Sequence, residues 1–158
     1  MHAPRTARRP TSGTRVASLL LAALALTGAG CGSDSTSPTS SEAGTYTLVS
    51  VNGQAKPVTF MNTALGTVVV QSGTLTLTPG SPSRYTAVIG GTANGQASPA
   101  LVGDNGTYTV AGANVSFTSG VLAGLTYVGV VSGNSISVAV PAFVIGTTGT
   151  LTLVLQKS

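Results

Sequence analysis

The stretch Gly73-Thr-Leu-Thr-Leu-Thr78 alternates threonine with leucine, residue by residue. Successive side chains of a β-strand point to opposite faces of the sheet, so this pattern places Leu75 and Leu77 on a buried face and the threonines toward solvent. Pro79-Gly80 then ends the strand, because proline lacks the backbone N–H and glycine favours turns. The pattern predicts one strand of an antiparallel sheet with a single buried face.

Short strands of the same kind continue along the chain in both directions from this stretch. Turn-forming Asn, Gly and Pro residues separate them. The predicted strands are Tyr46–Val51, Lys56–Phe60, Gly66–Val70, Gly73–Thr78, Arg84–Ile89, Thr107–Val110, Val115–Thr118, Leu125–Val131, Ser135–Val140 and Thr150–Gln156. Between them, Gly90–Pro99 is expected to be a loop and Asp104-Asn-Gly106 a turn, because both are rich in turn residues.

The predicted fold is all-β: a single antiparallel up-and-down β-barrel of about eight to ten short strands. No segment combines a helical period with a helical composition. The strands carry almost no charge, so they lack the lysines and glutamates that protect exposed sheet edges. Closing the barrel, with the Tyr46 strand paired to the Leu151 strand, would remove those edges. A two-layer β-sandwich is the alternative.

Residues 1–30 have the composition of a secretory signal peptide. An apolar core of about ten residues, Val16–Leu26, is too short for a helix that crosses a ~30 Å hydrocarbon layer. Four arginines precede this core: Arg5, Arg8, Arg9 and Arg15. Small residues follow it and lead directly to Cys31, the only cysteine of the chain. The sequence therefore predicts export.

The segment Leu26–Ser33 resembles the lipobox of bacterial lipoproteins, in which small residues precede a modified cysteine. The resemblance implies that Cys31 receives acyl chains such as palmitate and becomes the first residue of the exported protein. Because Gly32 would not retain the protein at the inner membrane, the destination implied for a bacterium with two membranes is the cell outer membrane. Cleavage near Ala29 by an ordinary signal peptidase, which leaves a free thiol, is the alternative. Residues 31–44 are then the lipidated cysteine with a flexible Ser/Thr-rich tether, and residues 45–158 are the barrel domain.

The formal net charge of +4 belongs to the leader and not to the exported chain. Four of the seven basic residues lie in the signal peptide. From Cys31 onward the charged side chains cancel: Lys56, Arg84 and Lys157 against Asp34, Glu42 and Asp104. No basic patch is left to neutralise phosphates, which argues against nucleic-acid binding.

Residue types that carry out catalysis are scarce after the signal peptide. The only histidine, His2, lies within the signal, and Asp104 is the only carboxylate beyond Glu42. A Ser-His-Asp triad lacks its base, a paired-carboxylate site lacks its pair, and a His/Cys metal site lacks its ligands. The sequence therefore predicts a protein that is not an enzyme and that needs no metal or cofactor.

Three segments carry a family likeness: Thr45–Gly53, Asn105–Val110 with Asn114–Phe117, and Leu151–Lys157. They resemble small bacterial lipocalin-like lipoproteins of the calycin type, in which successive Gly-Thr-Tyr and Gly-Asn hairpins build a barrel. The resemblance implies that the barrel binds a small apolar molecule. A structural or adhesive envelope domain that contacts glycan or protein is the alternative function.

Candidate ligand-binding residues are large side chains that could line a cavity in such a barrel, since pockets are mostly apolar with few polar anchors. They are Tyr46, Tyr85, Tyr108, Phe117 and Tyr127. Arg84, alone on its strand, is the candidate anchor for a ligand carboxylate at the barrel mouth. The alternative is ordinary core packing for the aromatic residues and a solvated position for Arg84.

Overall fold

A computed structural model describes residues 41–63, 66–145 and 148–158. The predicted signal peptide, Cys31 and most of the tether lie outside the described residues. The described chain consists of strands and one short 3₁₀ turn: β1 Gly44–Val51, β2 Gln54–Ala55, β3 Val58–Thr63, β4 Gly66–Thr78, β5 Arg84–Ala93, β6 Gln96–Ala111, β7 Asn114–Ser119, β8 Thr126–Ser132, β9 Ser135–Pro141, the 3₁₀ turn Ala142–Ile145 and β10 Thr150–Lys157. No helix in these ranges is long and apolar enough to cross a membrane.

Eight of the strands form a closed antiparallel barrel. Their order around the barrel is β1, β10, β9, β8, β7, β6, β5 and β4, after which β4 pairs back onto β1. Tyr46 of β1 lies opposite Lys157 of β10 on one side and opposite Leu75 of β4 on the other. The predicted up-and-down barrel and the pairing of its first and last strands are confirmed, and the sandwich alternative is wrong.

A small sheet extends the barrel beyond one of its ends. The first half of β4 pairs with β3, from Val58 opposite Val70 to Thr63 opposite Gly66, whereas the second half of β4 pairs with β1. Register shifts at Val70–Ser72 in the β4–β5 pairing and at Ile89–Gly91 in the β5–β6 pairing, with the extra residues in β4 and β6, mark the place where the strands leave the barrel. Such bulges bend a strand and increase its twist, which allows one long strand to serve both parts.

Two sequence expectations for this region are wrong. Gly90–Pro99 is not a loop, because β5 and β6 continue through it as a hairpin whose turn is Asn94-Gly95 alone. Both turn residues have left-handed φ angles, 52° and 77°, as a two-residue hairpin turn requires. Asp104-Asn-Gly106 is not a turn either: it lies within β6, with Asp104 opposite Ala87.

The core lies inside the barrel, on the alternating inward positions of the strands. Leu75 and Leu77 are buried while Thr74 and Thr78 are exposed, as the alternation of leucine and threonine in Gly73–Thr78 predicts. We call the end where β1 begins and β10 ends the base, and the opposite end, where β9 ends and β10 begins, the mouth. The base is filled by large buried side chains: Tyr46, Leu77, Tyr108, Val110 and Val115.

Candidate ligand-binding cavity

The mouth half of the barrel contains a cavity of about 80 Å³. The deeper part of its lining is formed by Leu48, Leu75, Phe117, Val138, Leu153 and Leu155, and the part nearer the mouth by Ile89, Val102, Leu122, Val140 and Val144. The side chains of this set that belong to strands face inward because every second residue of a barrel strand points to the interior. Leu122 lies between β7 and β8, and Val144 lies in the 3₁₀ turn. The cavity is therefore an apolar space inside the barrel, and the buried side chains of the base close it from below.

Exposed apolar side chains surround the entrance to this cavity. Val121 and Leu122, in the segment between β7 and β8, are 56% and 39% exposed, and Phe143, between β9 and β10, is 58% exposed. We call these three residues the mouth rim. A surface groove lined by the mouth rim and Leu101 lies beside the cavity entrance. Clustered exposed apolar residues of this kind often mark an interaction site.

One carboxylate, that of Asp104, lies in the wall of the apolar cavity. Its Oδ2 accepts hydrogen bonds from the hydroxyls of Tyr85 (2.6 Å) and Tyr127 (3.1 Å). Its Oδ1 accepts from the Ser119 hydroxyl (2.7 Å) and from the backbone N–H of Asn105 (2.8 Å). A carboxylate offers about four lone-pair sites, so these four donors satisfy it.

The hydrogen bonds keep Asp104 ionised although it is partly withdrawn from water. Burial alone raises the pKa of this carboxyl, but the bonds from Tyr85, Ser119, Tyr127 and Asn105 outweigh burial and leave the pKa below its ordinary value. The tyrosines respond in the opposite direction. Burial and the neighbouring carboxylate raise the pKa of Tyr85, and burial together with Tyr85 and Asp104 raises that of Tyr127, so both hydroxyls stay protonated. At neutral pH the cavity wall therefore holds one negative charge, which is bonded by the hydroxyl of Tyr127, a lining residue, and by that of Tyr85, which is buried and does not line the cavity.

Asp104 also fixes one side of the mouth through Ser119. The Ser119 hydroxyl donates to the carboxylate and accepts hydrogen bonds from the backbone N–H groups of Leu122 (2.8 Å) and Val121 (3.2 Å). The N–H of Gly120 donates to the Asn105 carbonyl at 2.6 Å. The carboxylate and the two residues that begin the mouth rim are thus joined in one hydrogen-bonded unit.

Three of the candidate aromatic residues meet beside this carboxylate. The rings of Phe117 and Tyr127 are stacked, with centroids 5.1 Å apart and planes 18° apart. Tyr85 meets Phe117 edge to face at 5.1 Å and Tyr127 at 6.2 Å. Such pairs add to the gain from burial and restrict the rings, so the Tyr85 and Tyr127 hydroxyls are held in place around Asp104.

The other candidate residues lie elsewhere in the fold. Tyr46 and Tyr108 are buried in the base and do not line the cavity. Arg84 is exposed at the start of β5 and does not line it either. Sequence reasoning missed Asp104 as a site residue. The signal that could have found it is the alternation of β6, since Tyr108, Gly106 and Asp104 fall on one face of a strand.

The described residues contain no cluster of three or more side chains suited to hold a metal ion. No protein-family model, curated protein or solved structure matches the chain.

Proposed function

We propose that this chain is an exported, lipid-anchored lipoprotein whose non-catalytic barrel binds a small apolar ligand in the mouth cavity. The observation that carries the binding proposal is the apolar cavity of about 80 Å³ that reaches the mouth rim. The leader and Cys31 carry the proposal of export and anchoring. A structural or adhesive domain needs no internal space, so the cavity favours binding over that alternative.

The volume limits the part of the ligand that enters the barrel. A buried apolar cavity of about 150 Å³ holds benzene, so a cavity of about 80 Å³ suits an aliphatic tail of roughly three to four carbons. Each CH₂ moved out of water contributes about 0.8 kcal/mol, so a four-carbon tail gains about 3 kcal/mol. That corresponds to a millimolar dissociation constant for the tail alone. Any larger part of the ligand lies at the mouth, against the mouth rim.

Titration of 1-butanol into the whole chain tests the proposal. We expect saturable shifts of methyl resonances in cavity residues such as Leu75 and Leu153, at millimolar concentrations. Ala87 lines the cavity, so Ala87→Leu places a similar hydrocarbon volume there and should abolish the shifts. The adjacent Thr86 is exposed on the outer face, and Thr86→Leu is the matched control that should bind like the wild type.

Two outcomes contradict the proposal. Either the methyl shifts of the wild type fail to saturate, or Ala87→Leu and Thr86→Leu bind 1-butanol equally well.

A further inference from the structure

The carboxylate in the cavity wall has a charge that nothing in the described residues neutralises. All four of its hydrogen-bond donors, from Tyr85, Tyr127, Ser119 and the Asn105 backbone, are neutral groups. No basic side chain of the described ranges contacts Asp104. The hydrogen bonds stabilise the negative charge without cancelling it, so the cavity has a net negative wall.

This charge distinguishes between ligands that have the same tail. In an apolar, poorly hydrated space a charge acts more strongly than it does in water. An anionic head group near Asp104 is repelled, a neutral head group is little affected, and a cationic head group is attracted. The wall therefore selects by the charge of the head group while the cavity accommodates the aliphatic tail.

Tyr127 offers the atom that such a head group would contact. The proton of Tyr85 is given to Asp104, and the single proton of Tyr127 lies between Tyr85 Oη (3.0 Å) and Asp104 Oδ2 (3.1 Å). Tyr127 Oη accepts no hydrogen bond from the described residues, although Tyr127 lines the cavity. An N–H donor at the mouth can thus bond to Tyr127 Oη while the tyrosine proton remains between Tyr85 Oη and the carboxylate.

We infer that the ligand is an aliphatic amine in its protonated form, with its tail in the cavity and its ammonium group at Tyr127 Oη beside Asp104. This inference rests on the proposed function and specifies the ligand class for the same cavity. The ammonium supplies the positive charge that the wall lacks. Its N–H groups use the lone pair of Tyr127 that the protein leaves vacant.

Three ligands with one tail test the inference: n-butylammonium, 1-butanol and butyrate, each titrated into the whole chain and followed by methyl shifts. We expect n-butylammonium to bind at least about tenfold more tightly than butyrate, with 1-butanol between them. Added salt should weaken the binding of n-butylammonium and leave that of 1-butanol unchanged.

Asp104→Asn keeps the size of the side chain and removes its charge, so it should bind the ammonium and the alcohol alike. Tyr127→Phe should weaken the binding of n-butylammonium severalfold while 1-butanol still binds. Because this variant keeps the carboxylate, it tests the inference even if Asp104→Asn does not fold. The inference is overturned if the wild type does not prefer n-butylammonium to 1-butanol, or if Asp104→Asn retains the preference. If none of the three ligands binds, the proposed cavity function fails as well.

Discussion

Asp104 is an ionised side chain in an otherwise apolar barrel wall, and the fold compensates for it with hydroxyls. A charge that leaves water without partners is expensive, so it must be hydrogen-bonded or neutralised by protonation. Here Tyr85, Tyr127 and Ser119 approach from three different strands, and the neighbouring Asn105 supplies a backbone donor. The carboxylate thus links β5, β6, β7 and β8 near the mouth, and its charge and its structural role depend on the same four bonds.

The depressed pKa of Asp104 predicts a specific pH dependence of stability. Because the folded pKa lies below the ordinary aspartate value of about 3.9, ionised Asp104 stabilises the fold above that pH, and the contribution is lost as the pH falls through the folded pKa. Asp104→Asn lacks this contribution. Its unfolding free energy should be lower than that of the wild type at about pH 7, and the difference should shrink at about pH 2.5. Urea unfolding at both pH values measures the difference.

A second variant, Tyr127→Phe, tests whether the hydrogen bonds lower the pKa of Asp104. Tyr127→Phe removes one donor and keeps the ring, so the pKa of Asp104 should rise, as followed by the NMR shift of its carboxyl carbon. A wild type and an Asp104→Asn variant that lose stability in parallel on acidification would show that the four hydrogen bonds do not stabilise the ionised form.

Among the single residues of the candidate site, the sequence predicts the aromatic side chains but not the carboxylate. Tyr85, Phe117 and Tyr127 follow from their size and their place on strands. Asp-Asn-Gly favours turns locally and so predicts a turn at Asp104, whereas pairing with β5 holds Asp104 in a strand. Alternation from Tyr108 could have placed Asp104 on the inner face, but the meeting of three hydroxyls from other strands depends on barrel closure and register.

Among the elements, β6 and β7 approach each other closely at Gly106. A Cβ on Gly106 would overlap the carbonyl oxygen of Thr118 and lie 3.0 Å from the backbone nitrogen of Gly120. Both neighbours are backbone atoms, so neither can move aside as a flexible side chain would. Gly106 therefore allows β6 to run directly from the carboxylate into the β7 pairing.

Gly106→Ala should destabilise the barrel, because the added methyl group forces the two strands apart. We expect a loss of about 1–3 kcal/mol in the free energy of unfolding, as for other overpacked sites. Gly103→Ala is the control on the same strand, since a Cβ there meets nothing within 4 Å. Urea unfolding measures both, and equal midpoints for the two variants would contradict the account of Gly106.

The elements themselves were largely predictable, and the errors share one cause. Strands with clear alternation, such as Gly73–Thr78, were correct because their inner face is apolar. The Gly, Asn and Ser residues of Gly90–Pro99 predict a loop, because these residue types are common in turns. The backbone ladder that extends β5 and β6 past the barrel needs no apolar side chains to form, so composition alone did not reveal it.

At the scale of the whole molecule, the closing of the barrel compensates for the lack of charged side chains on its strands. Pairing β1 with both β4 and β10 removes the sheet edges that the uncharged strands would otherwise expose. The described chain starts beside the base, where Lys157 Nζ donates to the Ser41 carbonyl at 2.7 Å and Tyr46 Oη donates to the Glu42 carbonyl at 2.9 Å. Ser41 and Glu42 are thus hydrogen-bonded to the barrel at the end opposite the mouth rim.

This arrangement predicts that membrane attachment depends on acylation of Cys31 alone. From Cys31 onward the side-chain charges sum to zero, so electrostatic attraction to anionic lipids has little to act on. The wild type should incorporate a palmitate analogue and stay in the membrane fraction at high salt, because several acyl chains bind firmly where one is marginal. Cys31→Ser should lose the label and become soluble, whereas the neighbouring control Ser33→Ala should behave like the wild type.

Fractionation combined with labelling distinguishes attachment by acylation from attachment through the exposed apolar side chains of the mouth rim. Equal labelling of wild type and Cys31→Ser would defeat acylation at this residue. An unlabelled Cys31→Ser protein that still resists salt in the membrane fraction would instead assign attachment to exposed apolar residues, of which Phe143, 58% exposed, is the largest. In that case the mouth would face the lipid and the cavity would be filled from the membrane. Release of Cys31→Ser from the membrane would show that the mouth rim does not hold the protein there. The mouth is then open to water, from which a dissolved protonated amine reaches Asp104 directly.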